Sequence, residues 1–293
     1  MNLEKQLEAA KTAARIASEK ILKVYDSGDF KVEFKGVNDP VGIADKLSNI
    51  AICNHLNREF PDYGIVTEES VAKEDIESGN NRLEESLKLW REKEFCWVID
   101  PLDGTKDFIK KTGEFGIHIG LLHQDAPVLG LNCYPTKDTI YFAIKGEGAF
   151  RQTATDTKRI STSDRHELQS MRMFTSRTTP EVDVTELIKL MGIKDEMIIG
   201  STGLKFCKIS EGSGELYIIA RKSFGVWDAC SGQVILNEAG GVVTDCYGNP
   251  INYRGKPKLE NGLVMSNGKN HEEVLSHTIH YFSEIKSASQ QIK

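Results

Sequence analysis

Apolar and polar positions alternate with clear periods along the first part of the chain. From Leu3 to Val24 the apolar side chains recur at steps of three and four residues, which places them on one stripe of a long helix. Phe30–Phe34 alternates as a strand does, and the apolar positions from Leu47 begin a second helix that runs to about Phe60. The pattern therefore predicts helix, strand and helix, and none of these elements indicates a function.

Short apolar runs of the kind that form strands fill the middle of the chain. They are Cys96–Ile99, Phe115–Leu122, Pro127–Cys133 and Thr139–Ile144. The charged residues 71–95 before them predict a solvated excursion followed by an amphipathic helix. The Thr- and Ser-rich stretch Arg151–Asp164 is the candidate domain boundary.

The second half alternates between the two periods. The predicted strands are Arg172–Phe174, Met197–Ile199, Glu215–Ala220 and Gly241–Thr244, and the predicted helices are Glu181–Met191, Leu204–Glu211 and Val226–Ala239. This alternation favours an α/β domain. We therefore expect an N-terminal α+β domain over residues 1–158 and a C-terminal α/β domain over residues 159–293.

Composition narrows the class of ligand. The 293 residues carry a formal net charge of -6 at pH 7 and include no long run of Lys and Arg, whereas nucleic-acid backbones are bound by concentrated basic surfaces. The longest apolar runs are far shorter than the roughly 20 residues of a membrane span. A small-molecule ligand is favoured, and we expect neither nucleic acid nor membrane as a partner; the sequence indicates no partner protein.

The cysteines and histidines add no site of their own. The six cysteines are scattered without a CxxC pair, which is typical of reduced, mostly buried thiols in a cytoplasmic protein. The seven histidines show no ligand spacing. The Ala-rich N-terminus mixes Glu with Lys and is followed by no apolar stretch, so it does not predict a targeting segment.

The segment Trp97–Thr105, with the sequence WVIDPLDGT, suggests chemistry. Its apolar strand leads into Asp100, which precedes a proline and should sit at the strand's end. A tight turn would bring Asp103 back beside Asp100, with Thr105 capping the next helix. Two carboxylates beside a helix start suit a hard divalent cation together with a phosphate, although an isolated match is equally consistent with a polar turn.

Further acids occur in similar settings. Glu68 follows the β-like run Ile65–Thr67, Asp228 precedes a helix, and Asp45 opens another helix. Each acid alone is more typical of a helix cap or the surface. As a set they indicate a shared site.

Four motifs together resemble the inositol monophosphatase superfamily of Mg²⁺-dependent, lithium-sensitive phosphatases. They are VTEES at 66–70, DPLDGT at 100–105, WDACSG at 227–232 and EAGG at 238–241. The resemblance covers nearly the whole chain, from Asp39 to Asn267. It implies a layered αβαβα sandwich of the inositol monophosphatase and sugar phosphatase type, with the metal site between the two domains.

Within the superfamily the chain is most similar to the 3'(2'),5'-bisphosphate nucleotidase branch. The similar segments are Asp103–Lys110, Gly113–Phe115 and Gly203–Cys207, and Thr175–Arg177 is similar to a Ser-Arg-Ser-His segment of that branch. The chain departs from the branch at Thr179, where a His is usual. This departure puts one substrate contact in doubt.

The resemblance implies two to three Mg²⁺ ions held by oxygen atoms. Asp100 would bridge two of them, one shared with Glu68 and the main-chain carbonyl of Leu102. The other would be shared with Asp103 and Asp228. A third, weaker ion would depend on Glu68 and bound waters. Most ligands would thus come from the N-terminal domain and Asp228 from the C-terminal one.

The catalytic residues implied by the resemblance are Asp45, Glu68 and Thr105. The Thr105 hydroxyl, linked to Asp45 or Glu68, would orient the attacking water and help to deprotonate it. Backbone N–H groups of Gly104 and Thr105 would bind the scissile phosphate. No covalent phosphoenzyme is expected.

A bisphosphate carries a second phosphate that the metals do not reach. We expect Lys205 to bind it with support from Thr202, because the Gly200–Gly203 run can expose backbone N–H groups as an anion nest. Arg221 would add charge. A Gly/Ser/Thr loop with one Lys is common, so this assignment depends on the resemblance.

The implied reaction is removal of the 3'-phosphate from 3'-phosphoadenosine 5'-phosphate, giving AMP and phosphate. Inositol polyphosphate 1-phosphatase or inositol monophosphatase activity, with dual specificity among the options, stays open because the motifs do not read the leaving group. Fructose-1,6-bisphosphatase activity is a further alternative. A catalytically silent metal-binding scaffold would be marked by loss of an acid or of Thr105, and none is lost.

Overall fold

A computed structural model describes most of the chain. The described residues are 1–27, 32–34, 40–71, 88, 90–177, 184–219 and 224–291. Their helices are α1 (Glu4–Ser27), α2 (Ile43–Glu59), α3 (Thr105–Ile109), α4 (Thr185–Leu190), α5 (Thr202–Ser210), α6 (Val226–Glu238) and α7 (His271–Gln291). Their strands in the first half are β1 (Val32–Phe34), β2 (Pro40–Gly42), β3 (Gly64–Thr67), β4 (Phe95–Asp103), β5 (Gly116–His123), β6 (Ala126–Tyr134), β7 (Thr139–Ile144), β8 (Gly148–Gln152) and β9 (Thr157–Ile160). Those in the second half are β10 (Arg172–Ser176), β11 (Asp195–Ile199), β12 (Leu216–Ile219), β13 (Phe224–Gly225), β14 (Val242–Thr244), β15 (Lys258–Leu259) and β16 (Leu263–Ser266).

A seven-stranded sheet organises the first half of the molecule. Its strands follow chain order from β3 to β9, with β3 parallel to β4 and every later neighbour antiparallel. Strand β4 is buried along almost its whole length. The parallel pairing brings the carboxyl ends of β3 and β4 to one edge of the sheet.

A five-stranded sheet organises the second half, in the order β11-β10-β12-β16-β14. Strand β10 is parallel to both β11 and β12, and β16 is antiparallel to both of its neighbours. The sequence analysis did not predict β16 or helix α7. Both complete this half, since β16 lies inside the sheet and Val274 of α7 is buried against it.

The helices pack in layers on these two sheets. Helices α1 and α2 pack on each other and against the seven-stranded sheet, using small buried side chains such as Ala10 and Ala14. Helices α5 and α6 lie between the two sheets, where Phe206 and Trp227 are fully buried. Helices α4 and α7 cover the other face of the five-stranded sheet. The layers confirm the predicted αβαβα sandwich.

The start of helix α2 differs from the sequence prediction. Helix α2 begins at Ile43 rather than near Leu47, so Asp45 lies in its first turn and no separate helix opens there. Leu47 and Ile50, which the periodicity predicts to start the apolar face, are 38% and 56% exposed. The buried face of α2 is formed instead by small and apolar side chains such as Ala44 and Ile52, which the period alone did not select.

The predicted domain boundary falls within ordered structure. Strand β9 pairs with β8 as the last strand of the seven-stranded sheet, and its side chains are exposed apart from the half-buried Ile160. A polar strand at a sheet edge has no apolar alternation to reveal it. The division at residues 158 and 159 therefore lies inside β9, and the two-domain organisation stays a prediction.

Other predictions concern helices and thiols. None of the described helices is long and apolar enough to cross a bilayer. All six cysteines are free; five are buried and Cys53 is partly exposed, as predicted.

The strand predicted from Phe30 is described only from Val32 to Phe34, and most of the charged segment 71–95 lies outside the described residues.

Candidate active site

Strand β4 brings two of the predicted acids together. It does not end at Asp100 as predicted but continues to Asp103, with an irregularity in its pairing to β5 between these two residues. Gly104 then takes a φ of +86°, and a Cβ there would lie 2.8 Å from the carbonyl oxygen of Glu114. Only glycine fits this turn without strain, and it lets the chain leave the sheet immediately after Asp103 in sequence.

Three carboxylates converge on one point. Each of Asp100, Asp103 and Asp228 offers a carboxylate oxygen, and these oxygens lie within 4.8 Å of one another. We call these three residues the acidic cluster. Asp228 does not precede its helix but lies in the first turn of α6, where its Oδ2 accepts the N–H of Gly225 at 2.6 Å.

The protein holds one oxygen of each acid. Asp100 Oδ1 accepts the N–H of Leu102 at 3.0 Å, and Asp103 Oδ2 accepts the N–H of Gly203 at 3.0 Å and the hydroxyl of Ser201. Asp100 Oδ2 has no hydrogen-bond partner among the described residues. The Asp100 carboxylate, fixed through Oδ1, thus presents Oδ2 to a ligand.

The electrostatics of the acidic cluster favour a cation. Asp100 is 1% exposed, and burial together with the nearby charges of Glu68, Asp103, Asp228 and Asp45 raises its pKa well above the usual value. A divalent cation would relieve this repulsion. All the donors are oxygen atoms, which hard cations such as Mg²⁺ prefer. The residues present therefore fit a divalent metal ion.

Glu68, Asp45 and Thr105 surround the acidic cluster. Glu68 follows β3 and lines a cavity that the acidic cluster also lines. Its backbone N–H donates to the carbonyl of Ile99 at 3.1 Å. Asp45 is buried in α2. Thr105 does not cap α3 as predicted: Gly104 is the cap, no side chain bonds there, and the Thr105 hydroxyl donates to the carbonyl of Leu102 at 3.1 Å.

Lys205 lies in the same cavity. Its side chain is almost completely buried at 2% exposure, and its Nζ donates to the carbonyls of Ser201 at 3.2 Å and Gly200 at 3.4 Å. The ammonium group also lies 4.7 Å from the centre of the Tyr217 ring. No carboxylate of the described residues forms an ion pair with it. A buried ammonium held only by neutral groups is a strong site for an anion.

Two amides of the predicted anion nest already donate to carboxylates. The N–H of Gly200 donates to Glu114 Oε2 at 2.7 Å, and that of Gly203 donates to Asp103. Ser201 adopts a φ of +53° and caps α5 through its side chain, which accepts the N–H of Leu204. Thr202 is buried beside it at the start of α5. The loop thus uses two of its amides to hold acids of the site.

One cavity of about 400 Å³ is lined by the acidic cluster, Glu68, Thr105 and Lys205, whereas Asp45 lies outside its lining. Its polar lining includes Glu68, Asp100, Asp103, Gly104, Thr105, Lys106, Asp107, Ser176, Arg177, Thr202, Lys205, Tyr217 and Asp228. Its apolar lining includes Met173, Val184, Ile188 and Ile218. The predicted contacts Gly104, Thr105, Thr202 and Lys205 therefore share a cavity with the acids, whereas Arg221 and Thr179 lie outside the described residues.

Two groups of polar residues were not assigned a role from the sequence. Arg177 donates to Asp107 Oδ1 at 3.0 Å and to Glu114, which ties the segment after β4 to the end of β10. His118 of β5 is fully buried beside the acidic cluster. The signal for His118 was present, because it is the single charged or polar side chain between Gly116 and Leu122.

Comparison with known proteins identifies the family of this chain. The inositol monophosphatase family matches residues 2–283. The 3'(2'),5'-bisphosphate nucleotidase CysQ of Salmonella typhimurium is 32% identical over 260 residues, which cover 87% of this chain and 96% of that protein. Among solved structures, CysQ from Bacteroides thetaiotaomicron, a bacterial member of the inositol monophosphatase family, has a TM-score of 0.73 at 27% identity, covering 91% of this chain and 99% of that one. The Thermotoga maritima IMPase has a TM-score of 0.77 at 25% identity, covering 96% and 99%.

These matches confirm the family and the fold predicted from the four motifs. They extend over most of both chains, so the resemblance is not confined to the acidic motifs. The chain therefore belongs to the inositol monophosphatase family and is a phosphatase of that family.

Proposed function

We propose that this protein is a Mg²⁺-dependent phosphomonoesterase that removes the 3'-phosphate of 3'-phosphoadenosine 5'-phosphate, giving AMP and phosphate. The observation that carries the proposal is the pairing of the acidic cluster with Lys205 in one cavity. Ser201 contacts both, because its hydroxyl donates to Asp103 and its carbonyl accepts from Lys205 Nζ. A substrate with two phosphates would occupy both regions. One phosphate would bind to the cations held by the acidic cluster, and the other would bind to the Lys205 ammonium.

The acidic cluster would hold the metal. Asp100, Asp103 and Asp228 would bind one Mg²⁺ ion, and Asp100 would share a second with Glu68 and the carbonyl of Leu102. When bound, Mg²⁺ lowers the pKa of a water and neutralises charge on the phosphate oxygens. The protein's own task is then to fix the geometry of attack, since phosphoryl transfer depends mainly on positioning and charge neutralisation.

Thr105 would position the attacking water. Its hydroxyl lies 3.1 Å from the Leu102 carbonyl, so it is placed beside a group that we assign to the metal. With Asp45 or Glu68 as the proton acceptor, this hydroxyl orients the water toward the phosphorus. The Gly104 and Thr105 amides would bind the phosphate oxygens.

The cysteines are poor candidates for a nucleophile. Burial raises the pKa of Cys207 to about 12, and that of Cys96 also to about 12, so neither thiol ionises at neutral pH. This supports direct attack by water without a covalent phosphoenzyme.

Lys205 would bind the phosphate that is not hydrolysed. Its charge is buried and held by two carbonyls and a ring face, and Thr202 lies beside it in the cavity lining. The names of the CysQ relatives support a nucleotide as the carrier of the two phosphates. Likeness to the Thermotoga IMPase keeps inositol phosphates as the alternative substrates.

Phosphate release by the purified protein tests the proposal. It is measured with 3'-phosphoadenosine 5'-phosphate, inositol 1,4-bisphosphate and inositol 1-phosphate in Mg²⁺, with and without millimolar lithium. We expect a strong preference for the nucleotide and its inhibition by lithium. Preference for an inositol phosphate would keep the metal chemistry but overturn the substrate, and no release from any of the three would overturn the proposed activity.

A further inference from the structure

A histidine lies behind the acidic cluster, on the third strand of the seven-stranded sheet. His118 is 0% exposed and stands directly opposite Asp100 in the pairing of β4 with β5 and opposite Asn132 in the pairing of β5 with β6. Cross-strand partners share one face of a sheet. His118 therefore projects from the same face as the Asp100 carboxylate.

The imidazole faces two of the acids. Its Nε2 lies 3.4 Å from Asp103 Oδ2, and its Nδ1 lies 3.9 Å from Asp100 Oδ2. Neither ring nitrogen has a hydrogen-bond partner among the described residues. Burying a polar group without a partner is unfavourable, and Asp103 Oδ2 is the nearer of the two carboxylate oxygens.

The surrounding backbone leaves room for this contact. Helix α5 presents Gly203 to the ring, and a Cβ at that position would lie only 2.1 Å from His118 Nε2. The Gly203 N–H donates to Asp103 Oδ2, as the Ser201 hydroxyl does. Ring, amide and hydroxyl thus approach the same carboxylate oxygen, which leaves Asp103 Oδ1 for a metal ion.

We propose that His118 is a positioning residue: when the acidic cluster holds its cation, the Nε2–H of His118 is donated to Asp103 Oδ2 and fixes the rotation of that carboxylate, which sets the affinity of the acidic cluster for a divalent cation. The inference rests on the proposed metal-dependent function. Nε2 is the ring nitrogen nearer to a carboxylate oxygen of the acidic cluster, 3.4 Å against 3.9 Å for Nδ1, so it is the nitrogen we assign as the donor. Groups that orient a metal ligand from outside typically contribute 10- to 100-fold in metal affinity.

Three substitutions distinguish the effect of the Nε2–H donor from the effect of ring packing. His118→Phe keeps a ring of similar size without nitrogen atoms. His118→Gln carries an amide N–H that reaches the position of Nε2, and His118→Asn carries one only at the position of Nδ1, which faces Asp100. His123→Phe is the matched control, since His123 lies on the same strand and contacts Glu94 at 3.0 Å, away from the acids.

The primary readout is binding of Mn²⁺ to the full-length protein without substrate, measured by electron paramagnetic resonance. We expect His118→Phe and His118→Asn to bind Mn²⁺ about 10-fold more weakly, while His118→Gln and His123→Phe stay within about threefold of wild type. At saturating Mg²⁺ the nucleotide KM should be unchanged, and the Mg²⁺ concentration for half-activation should rise in parallel with the Mn²⁺ dissociation constant.

Wild-type affinity in His118→Phe, or binding by His118→Gln as weak as by His118→Phe, would overturn the inference. If His118→Phe does not fold, as judged by its melting in EDTA, the comparison of His118→Gln with His118→Asn decides in the same way. Wild-type protein that binds no Mn²⁺ would instead contradict the proposed function, so the two failures are distinguishable.

Discussion

The acidic cluster and the Lys205 region, meaning Lys205 with Tyr217 and the carbonyls of Gly200 and Ser201, are built in opposite ways. In the acidic cluster, like charges are crowded in a buried place, and burial and mutual repulsion raise the pKa of Asp100. In the Lys205 region a single ammonium is buried among neutral groups. The acidic cluster therefore carries an excess of negative charge, and the Lys205 region carries an excess of positive charge.

The two regions do not neutralise each other directly. Ser201 separates them, with its hydroxyl on Asp103 and its carbonyl on Lys205. A direct ion pair would have closed the cavity to a substrate. The arrangement instead offers carboxylate oxygens in one region and an ammonium group in the other, as the proposed binding of a metal ion together with a bisphosphate requires.

Loss of the bridging acid should have the largest effect. Asp100→Asn removes the charge common to both proposed metal ions, so we expect kcat/KM for the nucleotide to fall by about 1,000-fold or more. Phosphate release at several Mg²⁺ concentrations measures it. Asp125→Asn, at an exposed position, should match wild type, and an Asp100→Asn protein with full activity would show that the acidic cluster is not the metal site.

Loss of the water-positioning hydroxyl should follow. Thr105→Val keeps the branched shape without the hydroxyl, and kcat should fall by about 100- to 1,000-fold with little change in KM, because we assign the hydroxyl to the attacking water and not to the bound substrate. Thr105→Ser is the control and should retain most of kcat. Equal losses in the two variants would mean that packing, and not the hydroxyl, matters at this position.

Loss of the buried ammonium should affect one class of substrate only. Lys205→Met should lower kcat/KM for 3'-phosphoadenosine 5'-phosphate by about 10- to 100-fold, mainly through KM, since charge-assisted hydrogen bonds contribute roughly 1.5–3 kcal/mol. Hydrolysis of adenosine 3'-phosphate, which lacks the second phosphate, should change little. A similar loss on both nucleotides would contradict the assignment of Lys205 to the second phosphate.

The smallest expected effect is on the stability of metal-free protein. The pKa of Asp100 is raised in the folded state, so the unfolded chain, with a pKa of about 3.9, loses that proton at lower pH. Stability of the metal-free protein should therefore fall as pH rises above about 4. In EDTA, Asp100→Asn should melt about 2–5 °C higher than wild type at pH 7 and show a smaller difference at pH 4.5. A larger gain in melting temperature at pH 4.5 than at pH 7 would contradict the raised pKa of Asp100 as the cause.

Much of the acidic cluster was predictable because its members are close in sequence to strong local signals. The apolar run before Asp100 and the Pro and Gly after it predict a strand that ends in a turn. The irregular pairing of β4 and β5 was not predictable, since it depends on a neighbouring strand. For that reason the strand was expected to end three residues too early.

The Lys205 region was predicted only through resemblance. A lysine in a helix is expected at the surface, and the 2% exposure of Lys205 results from packing between two sheets. His118 was missed for a related reason, because its importance depends on what lies opposite in β4 and α5. Strand β9 was missed because a polar edge strand carries no apolar pattern. These features arise from tertiary contacts, which no local pattern contains.

In the proposed function, the acidic cluster acts on one phosphate while Lys205 holds the other. Phosphorus-31 NMR of wild-type protein with 3'-phosphoadenosine 5'-phosphate and Mg²⁺ identifies which phosphate leaves. We predict inorganic phosphate together with AMP that keeps its 5'-phosphate. Formation of adenosine 3'-phosphate, or of adenosine by loss of both phosphates at similar rates, would contradict the claim.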